Sequence, residues 1–376
     1  MIDSLNISGY RGLPELSMPD IGKINLIVGN NNSGKTSILE AIYILASAGD
    51  PSALWKIMSR RGEQLNIDFI PGRPILQDLD VCHLFYMHNI SVGKGFSISS
   101  TGKFPRNVNF DIAEAKRDDA PALYAQIPIE SEFSPVGERF AIKISGNPTP
   151  LTSLVPLSSR GGLRQDVFQM LNNIASNSPR MENSSPQYIS TDSLSVPELI
   201  SSFNGISLTP YEDLVLQALR FIEPDLERIG IATNGPIIQA GGQFRGGFKA
   251  KIKKLNQPIP IGSMGDGIWR MLSLAISLSK SKDNVLIIDE IDAGLHYTVM
   301  RDMWKFIIET ANSLNVQVFA TTHSYDCIKS LAAVCVEEAV EDGDVTIQRV
   351  ELGNNKTVSY SKEEIIMAAQ NSIEVR

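Results

Sequence analysis

The 376-residue sequence predicts an α/β fold whose sheet is assembled from both ends of the chain, and three observations predict it. Near the start, an apolar run bounded by glycine, Ile24–Val28, leads into a glycine- and asparagine-rich loop. A helical pattern, Lys35–Ala48, follows at once, with apolar residues at 38, 39, 42, 45 and 46. Near the end, two more short apolar runs, Val285–Ile288 and Val316–Ala320, alternate with helical patterns over Gly267–Ser281 and Thr298–Leu314. Continuous apolar strands suit a parallel sheet covered on both faces, and alternating strands and helices build such a sheet.

Composition bounds the function class. Apolar residues make up 43% and charged residues 20%, ordinary values for a globular chain long enough for two or three modules. The net charge of −8 argues against coating duplex DNA by charge alone. The one lysine-rich run, Lys249–Lys254, alternates at 249, 251 and 253 and reads as the solvated face of a strand. Three cysteines, Cys82, Cys327 and Cys335, form no CxxC and have no histidine at metal-binding spacing; a reducing, cytoplasmic setting fits. No apolar run reaches the ~18 residues of a membrane span, and no signal-peptide pattern precedes Arg11.

The elements follow in order. Leu5–Gly9 reads as a short strand and Arg11–Pro14 as a turn. Phe96–Phe110 and Arg139–Ser145 alternate as antiparallel strands do. Asp68–Pro74 is rich in turn residues, and Asn172–Tyr188 reads as a loop or mobile insertion within a Ser/Asn/Pro-rich stretch. Tyr211–Ile222 has helical spacing, and Lys249–Ile261 looks like strand and turn. The expected organisation is an N-terminal half-domain at 1–150, an inserted lobe at 151–210 and a C-terminal half-domain at 211–376.

Four motifs carry chemistry. Gly29-Asn30-Asn31-Asn32-Ser33-Gly34-Lys35-Thr36 fits GxxxxGK[ST] between a buried strand and a helix. Glycine and asparagine tolerate left-handed backbone, so successive N–H groups can turn inward around a phosphate, with the helix N-terminus behind them. Asn30, Asn31, Asn32, Ser33, Gly34, Lys35, Thr36 and Ser37 are the expected phosphate contacts of ATP. Lys35 would bridge the β- and γ-phosphates, and Thr36 would ligate Mg²⁺. Val285–Ile288 then delivers Asp289 and Glu290 to a strand end, where ligands of such sheets bind. Asp289 is expected on Mg²⁺ and Glu290 on the attacking water; two acids starting a helix is the plainer reading. Thr321-Thr322-His323-Ser324 ends the next strand and puts His323 near the γ-phosphate. Gly262-Ser263-Met264-Gly265-Asp266-Gly267 opens a helix and offers a second anion site, or a cap made by Ser263 or Asp266.

The order GNNNSGKT, GSMGDG, LIIDE, GLH, TTHS resembles the ABC-class ATPases of the RecF/SMC and OLD-like group. Gly9-Tyr10-Arg11-Gly12-Leu13 is similar to that group's first strand. The resemblance covers roughly residues 1–48 and 260–326. It implies a P-loop, ABC-type ATPase head with a mixed sheet, dimerising around two ATP molecules. It also implies roles: Ser263 and Gly265 as a signature offered to the opposite subunit's γ-phosphate, Glu290 as base, His323 as switch residue, and Arg11 near the nucleotide. Met264 departs from the glycine of transporter signatures, and Ala293-Gly294-Leu295-His296 looks like the OLD-like form of the next loop. No glutamine among Gln64, Gln77 and Gln126 is assignable to a Q-loop.

The long middle segment disfavours a transporter subunit, and the absence of sustained heptads disfavours an SMC arm. The stretch after His323 is too short for an appended Toprim nuclease. Stand-alone heads of this group are similar to those of bacterial antiphage systems, which implies a homodimer, or higher homo-oligomer, controlling a separately encoded effector such as a nuclease. A RecF-like DNA-repair clamp and a non-catalytic nucleotide-regulated scaffold stay open.

Overall fold

β1 (Ile2–Tyr10) and β2 (Leu13–Met18) form an antiparallel hairpin that turns at Arg11–Gly12, with Arg11 in the left-handed region at φ 51. β3 (Ile24–Gly29) is buried throughout and feeds α1 (Lys35–Ala46). α2 (Pro51–Arg61) starts where the Asp50 side chain accepts the Ser52 N–H. Then come β4 (Asp78–Asp80), β5 (Gly95–Gly102), β6 (Arg106–Glu114), β7 (Phe140–Asn147), β8 (Ser153–Pro156), β9 (Gly162–Arg164) and β10 (Gln187–Ile189). They are followed by α3 (Val196–Asn204), α4 (Pro210–Arg220), β11 (Leu226–Ile231), β12 (Phe248–Ile252), β13 (Ile259–Pro260) and α5 (Asp266–Lys280). The last elements are β14 (Val285–Ile288), α6 (Tyr297–Leu314), β15 (Gln317–Thr321), α7 (Tyr325–Glu337), β16 (Val345–Val350), β17 (Val358–Tyr360) and α8 (Lys362–Gln370). This computed structural model describes residues 1–65, 77–103, 105–114, 140–147, 153–158, 160–169, 185–232, 247–337, 341–371 and 373–375. The turn-rich stretch at 68–74, Gln126, Arg139 and residues 172–184 of the expected loop lie outside them.

One six-stranded sheet is antiparallel, in the order β2-β1-β5-β6-β7-β8. A second runs β10-β14-β15-β3-β16-β17, parallel except for β17. Strand alternation divides the parallel sheet between two cores. Ile27, Ile287 and Phe319 face α1 and the antiparallel sheet. Leu26, Val28, Leu286, Ile288, Val318 and Ala320 share the other core with α5, α6 and α7. α1 is thus covered on nearly every side, which explains why almost all of its residues are buried.

This is the mixed α/β head expected from the motif order, and the sheet does draw on both ends of the chain. One feature differs from the expected organisation, the place of the segment expected as an inserted lobe. The segment 151–210 supplies β8 to the antiparallel sheet and β10 to the parallel sheet, beside β14. Its helix α3 also enters the main core, through Leu199 and Phe203. A three-residue strand such as Gln187–Ile189 is too short to show a period, so its place in the sheet leaves no trace in composition. β16, in the C-terminal half-domain, pairs with β3 along six residues. On β12, Lys249 and Lys251 face solvent between buried Phe248, Ala250 and Ile252, and Lys251 pairs with Glu227 at 3.0 Å. Among the described residues no helix is long and apolar enough to cross a membrane, and Cys82, Cys327 and Cys335 are free thiols.

Asn25, fully buried in β3, ties the sheet together. Its amide donates to the carbonyls of Gly22 (2.9 Å) and Val318 (3.1 Å), and its oxygen accepts from the Gly22 N–H (2.8 Å) and the Thr346 hydroxyl (2.9 Å). Asn25→Leu keeps the volume but leaves these buried groups without partners. A loss of about 3 kcal/mol is expected, read from the urea midpoint of unfolding; an unchanged midpoint would show that Asn25 contributes no net stability.

Candidate functional site

The loop between β3 and α1 has the backbone a phosphate cradle needs. Gly29, Asn32 and Gly34 have φ of 144°, 61° and 97°. A Cβ on Gly29 would lie 2.4 Å from the Val350 carbonyl oxygen, so glycine is required there. Gly34 caps α1 without any side-chain cap, which leaves the first-turn N–H groups uncommitted to a side chain. Lys35 folds back onto the loop, its Nζ donating to the carbonyls of Gly29 and Asn30, both at 2.8 Å. Burial lowers the Lys35 pKa against the opposing pull of Asp289 and Glu290. The Ser33 hydroxyl is buried with no hydrogen-bond partner.

Register sets the rest. β14 lies beside β15 with Ile288 opposite Ala320, and β15 lies beside β3. The acidic pair and the loop therefore emerge at the same sheet edge. Asp289 is held from two sides: Thr36 donates to one carboxylate oxygen at 3.1 Å and Thr321 to the other at 2.6 Å. The Thr321 hydroxyl also accepts the Glu290 N–H at 2.8 Å, and Glu290 sits at φ 48. Neighbouring Thr322 donates to Asp292 at 2.6 Å. Thr36 and Asp289 also pass a geometric test for a shared octahedral cation. Two adjacent oxygens on Mg²⁺ lie about 2.9 Å apart, given bonds of 2.0–2.1 Å, close to the observed 3.1 Å.

Arg270 supports this edge from beneath. It lies on α5 and is 1% exposed. Its Nη2 donates to the carbonyls of Asp289 and Glu290, both at 2.7 Å, and its Nη1 to the Ser190 carbonyl at 2.7 Å. Burial, opposed by the surrounding acids Asp292, Asp289 and Glu290, brings its pKa down to about 10, so it stays charged at neutral pH.

These groups line a cleft of ≈ 450 Å³ that includes Asn31, Asn32, Ser33, Gly34, Lys35, Thr36, Ser37, Asp289, Glu290 and His323. Asn30 contributes its carbonyl to Lys35. His323 is exposed at the rim. Arg60, Arg61, Tyr188, Ser190, Thr191 and Asp192 complete the lining. The Arg60 guanidinium lies 4.7 Å from the Tyr188 ring centroid and donates to the Tyr188 carbonyl at 3.2 Å.

Three sequence-predicted residues do not line the cleft. Arg11 was expected near the nucleotide, but the left-handed turn directs its side chain into the protein. There it pairs with Glu40 (2.8 Å) and Glu63 (2.5 Å) and donates to the His83 carbonyl at 3.2 Å. It reaches the cleft only through Glu40, which also pairs with Arg61 at 2.7 Å. Ser263 and Gly265 lie at the exposed start of α5, outside this chain's own cleft. Neither Ser263 nor Asp266 caps that helix: Gly265 is the N-cap, and the Ser263 hydroxyl donates to the Pro260 carbonyl.

Sequence reasoning missed Arg270, Thr321 in its bridging role, and the Arg60–Tyr188 pair. Arg270 left a signal, a lone arginine among buried Ile268, Trp269, Met271 and Leu272. The pair left none, since its residues come from two weakly patterned segments.

Comparison with known proteins places these features. The model of the family described as "AAA ATPase domain" matches residues 1–131 and 169–328. A Helicobacter pylori protein described as an ATP/GTP phosphatase is 22% identical over 393 residues, spanning 97% of this chain and 99% of that protein. The DNA replication and repair protein RecF of Idiomarina loihiensis is 52% identical over 44 residues, 12% of each chain. An SMC head bound to the C-terminal winged-helix domain of ScpA superposes with a TM-score of 0.47 at 15% identity, covering 96% of this chain and 98% of the other.

Removing Arg270 tests the support beneath the acidic pair. Arg270→Met fills the space but leaves the carbonyls of Ser190, Asp289 and Glu290 without their charged donor, so a loss of about 3 kcal/mol is expected in urea unfolding. Stability equal to the parent protein would show that the carbonyls find other partners.

Proposed function

The chain belongs to the AAA ATPase domain family, and we propose that it binds Mg-ATP in this cleft and hydrolyses it with Glu290 as general base. The observation that carries the reading is the hydrogen bond between Thr36 of the loop and Asp289 of the acidic strand. It joins the two side chains that hold Mg²⁺ in such sites. The description of the full-length Helicobacter relative as an ATP/GTP phosphatase also supports hydrolysis.

In this mechanism the loop amides and the α1 N-terminus receive the phosphates. Lys35 exchanges the carbonyls of Gly29 and Asn30 for β- and γ-phosphate oxygens, which restores favourable surroundings to its charge. Thr36 and Asp289 would hold Mg²⁺, which when bound neutralises charge on the same oxygens. Glu290, its backbone fixed by Thr321 and Arg270, takes a proton from water as that water's oxygen bonds to the γ-phosphorus. The bond from the γ-phosphorus to the bridging oxygen breaks, and its electron pair leaves with ADP. His323 donates a hydrogen bond to the γ-phosphate from the rim.

Ser263 and Gly265 are exposed and lie outside this chain's own cleft. A second copy would bring them over the γ-phosphate, closing a dimer around two ATP molecules. ATP-dependent pairing would then control a separately encoded effector, possibilities that include a nuclease in antiphage defence; this step rests on the resemblance in motif order.

Glu290→Gln separates hydrolysis from binding. Turnover is expected to fall by roughly 10²–10⁴-fold, with nearly unchanged ATP affinity by calorimetry. Light scattering should show more dimer with ATP than for the parent protein, because the nucleotide stays intact between the heads. Hydrolysis at the parent rate would remove Glu290 from the role of base, and a monomer under saturating ATP would remove the dimer.

A further inference from the structure

The cysteines have no metal-binding spacing in sequence, but the segment between β4 and β5 folds back on itself and changes that. A short 3₁₀ turn, Val81–Leu84, and a left-handed turn at Tyr86–His88 bring Cys82 Sγ and one ring nitrogen each of His83 and His88 within 4.8 Å of one another. Two of the chain's four histidines are thus gathered at one thiol. The Nδ1 atoms of His83 and His88 lie 3.2 Å apart. Two imidazole nitrogens bound to one tetrahedral Zn²⁺ at 2.0–2.1 Å lie about 3.3 Å apart, so the pair already has the separation of two ligands.

Asp80 lies beside both the thiol and the His83 ring; burial and this carboxylate together push the Cys82 thiol up to about 12, so a bound metal would have to displace that proton. The other nitrogen of His83, Nε2, lies 3.7 Å from Asp80 Oδ2, near the carboxylate but beyond hydrogen-bond distance. Asp80 Oδ1 accepts the Cys82 N–H at 3.0 Å and fixes the turn that carries the thiol. Met87 and His88 are consecutive left-handed residues, at φ 60° and 53°. Met87 is 73% exposed, so packing of its side chain does not compensate for that conformation; what the turn accomplishes is to return His88 over His83. A set of one thiolate and two imidazoles selects Zn²⁺ over Mg²⁺ or Ca²⁺.

We propose that Cys82, His83 and His88 bind one Zn²⁺ ion, with water completing the tetrahedron on the solvent side. The site would brace the nucleotide head from behind. The His83 carbonyl accepts from Arg11 Nη1, the Leu84 carbonyl accepts the Arg11 N–H at 2.9 Å, and Arg11 pairs with Glu40 at the edge of the cleft.

Cobalt(II) reports on such a site through its visible bands and the thiolate-to-cobalt charge-transfer band in the near ultraviolet. The purified protein, stripped with a chelator and titrated with Co²⁺, should bind one equivalent, show that band and lose it on addition of Zn²⁺. Cys82→Ser should abolish the band, whereas Cys335→Ser should keep it. His88→Asn, at an exposed position that leaves the fold intact by circular dichroism, should weaken Co²⁺ binding at least tenfold. The proposal is overturned if no stoichiometric Co²⁺ binds, if the band survives Cys82→Ser, or if His88→Asn binds as the parent does.

Discussion

The geometry of the cleft depends on one carboxylate. Asp289 accepts from Thr36 through one oxygen and from Thr321 through the other, so it is fixed between the phosphate loop and the strand that ends at Thr321–Thr322. That sharing is possible only because β15 lies between β14 and β3 in the parallel sheet. With β15 between them, β14 and β3 lie two strand spacings apart, and each further strand inserted would move loop and acid apart by about 4.8 Å more. The sheet order is in turn held by buried polar groups such as Asn25 and Gln317, whose amide bonds to the Ile2 and Gly22 carbonyls at 2.7 and 2.8 Å.

The acidic pair is organised before any ligand arrives. Thr321 uses its hydroxyl in both directions, donating to Asp289 and accepting the Glu290 N–H. Arg270 holds the carbonyls of both residues from below. Groups fixed in this way need little rearrangement when charge develops on a phosphoryl group, which is where preorganisation favours catalysis. Lys35 is the exception. It rests on its own loop, in an environment that lowers its pKa, and an arriving phosphate would improve its surroundings.

The residues that declared themselves in the sequence were those whose chemistry is local. Gly29–Thr36 is contiguous, needs specific backbone angles, and lies between a buried strand and a helix; each property is visible in one dimension. Asp289 and Glu290 were legible because four apolar residues precede them. What stayed hidden arises from contacts across the sheet or between distant segments. Thr321 gains its role from register with β14, Tyr188 from a three-residue strand, and Arg11 from a left-handed turn that redirects its side chain inward. Cys82, His83 and His88 were visible as letters, but their spacing has meaning only after a 3₁₀ turn and a left-handed turn bring them together.

The most direct test of the account is the Mg²⁺ dependence of ATP binding in Asp289→Asn, measured by calorimetry with and without a chelator beside the parent protein. If Thr36 and Asp289 hold the cation together, the parent binds Mg-ATP more tightly than free ATP. In the variant that difference collapses, while affinity for free ATP is retained. A variant whose Mg²⁺ dependence matches the parent's would contradict the account, because the carboxylate at its centre would then play no part in holding the metal.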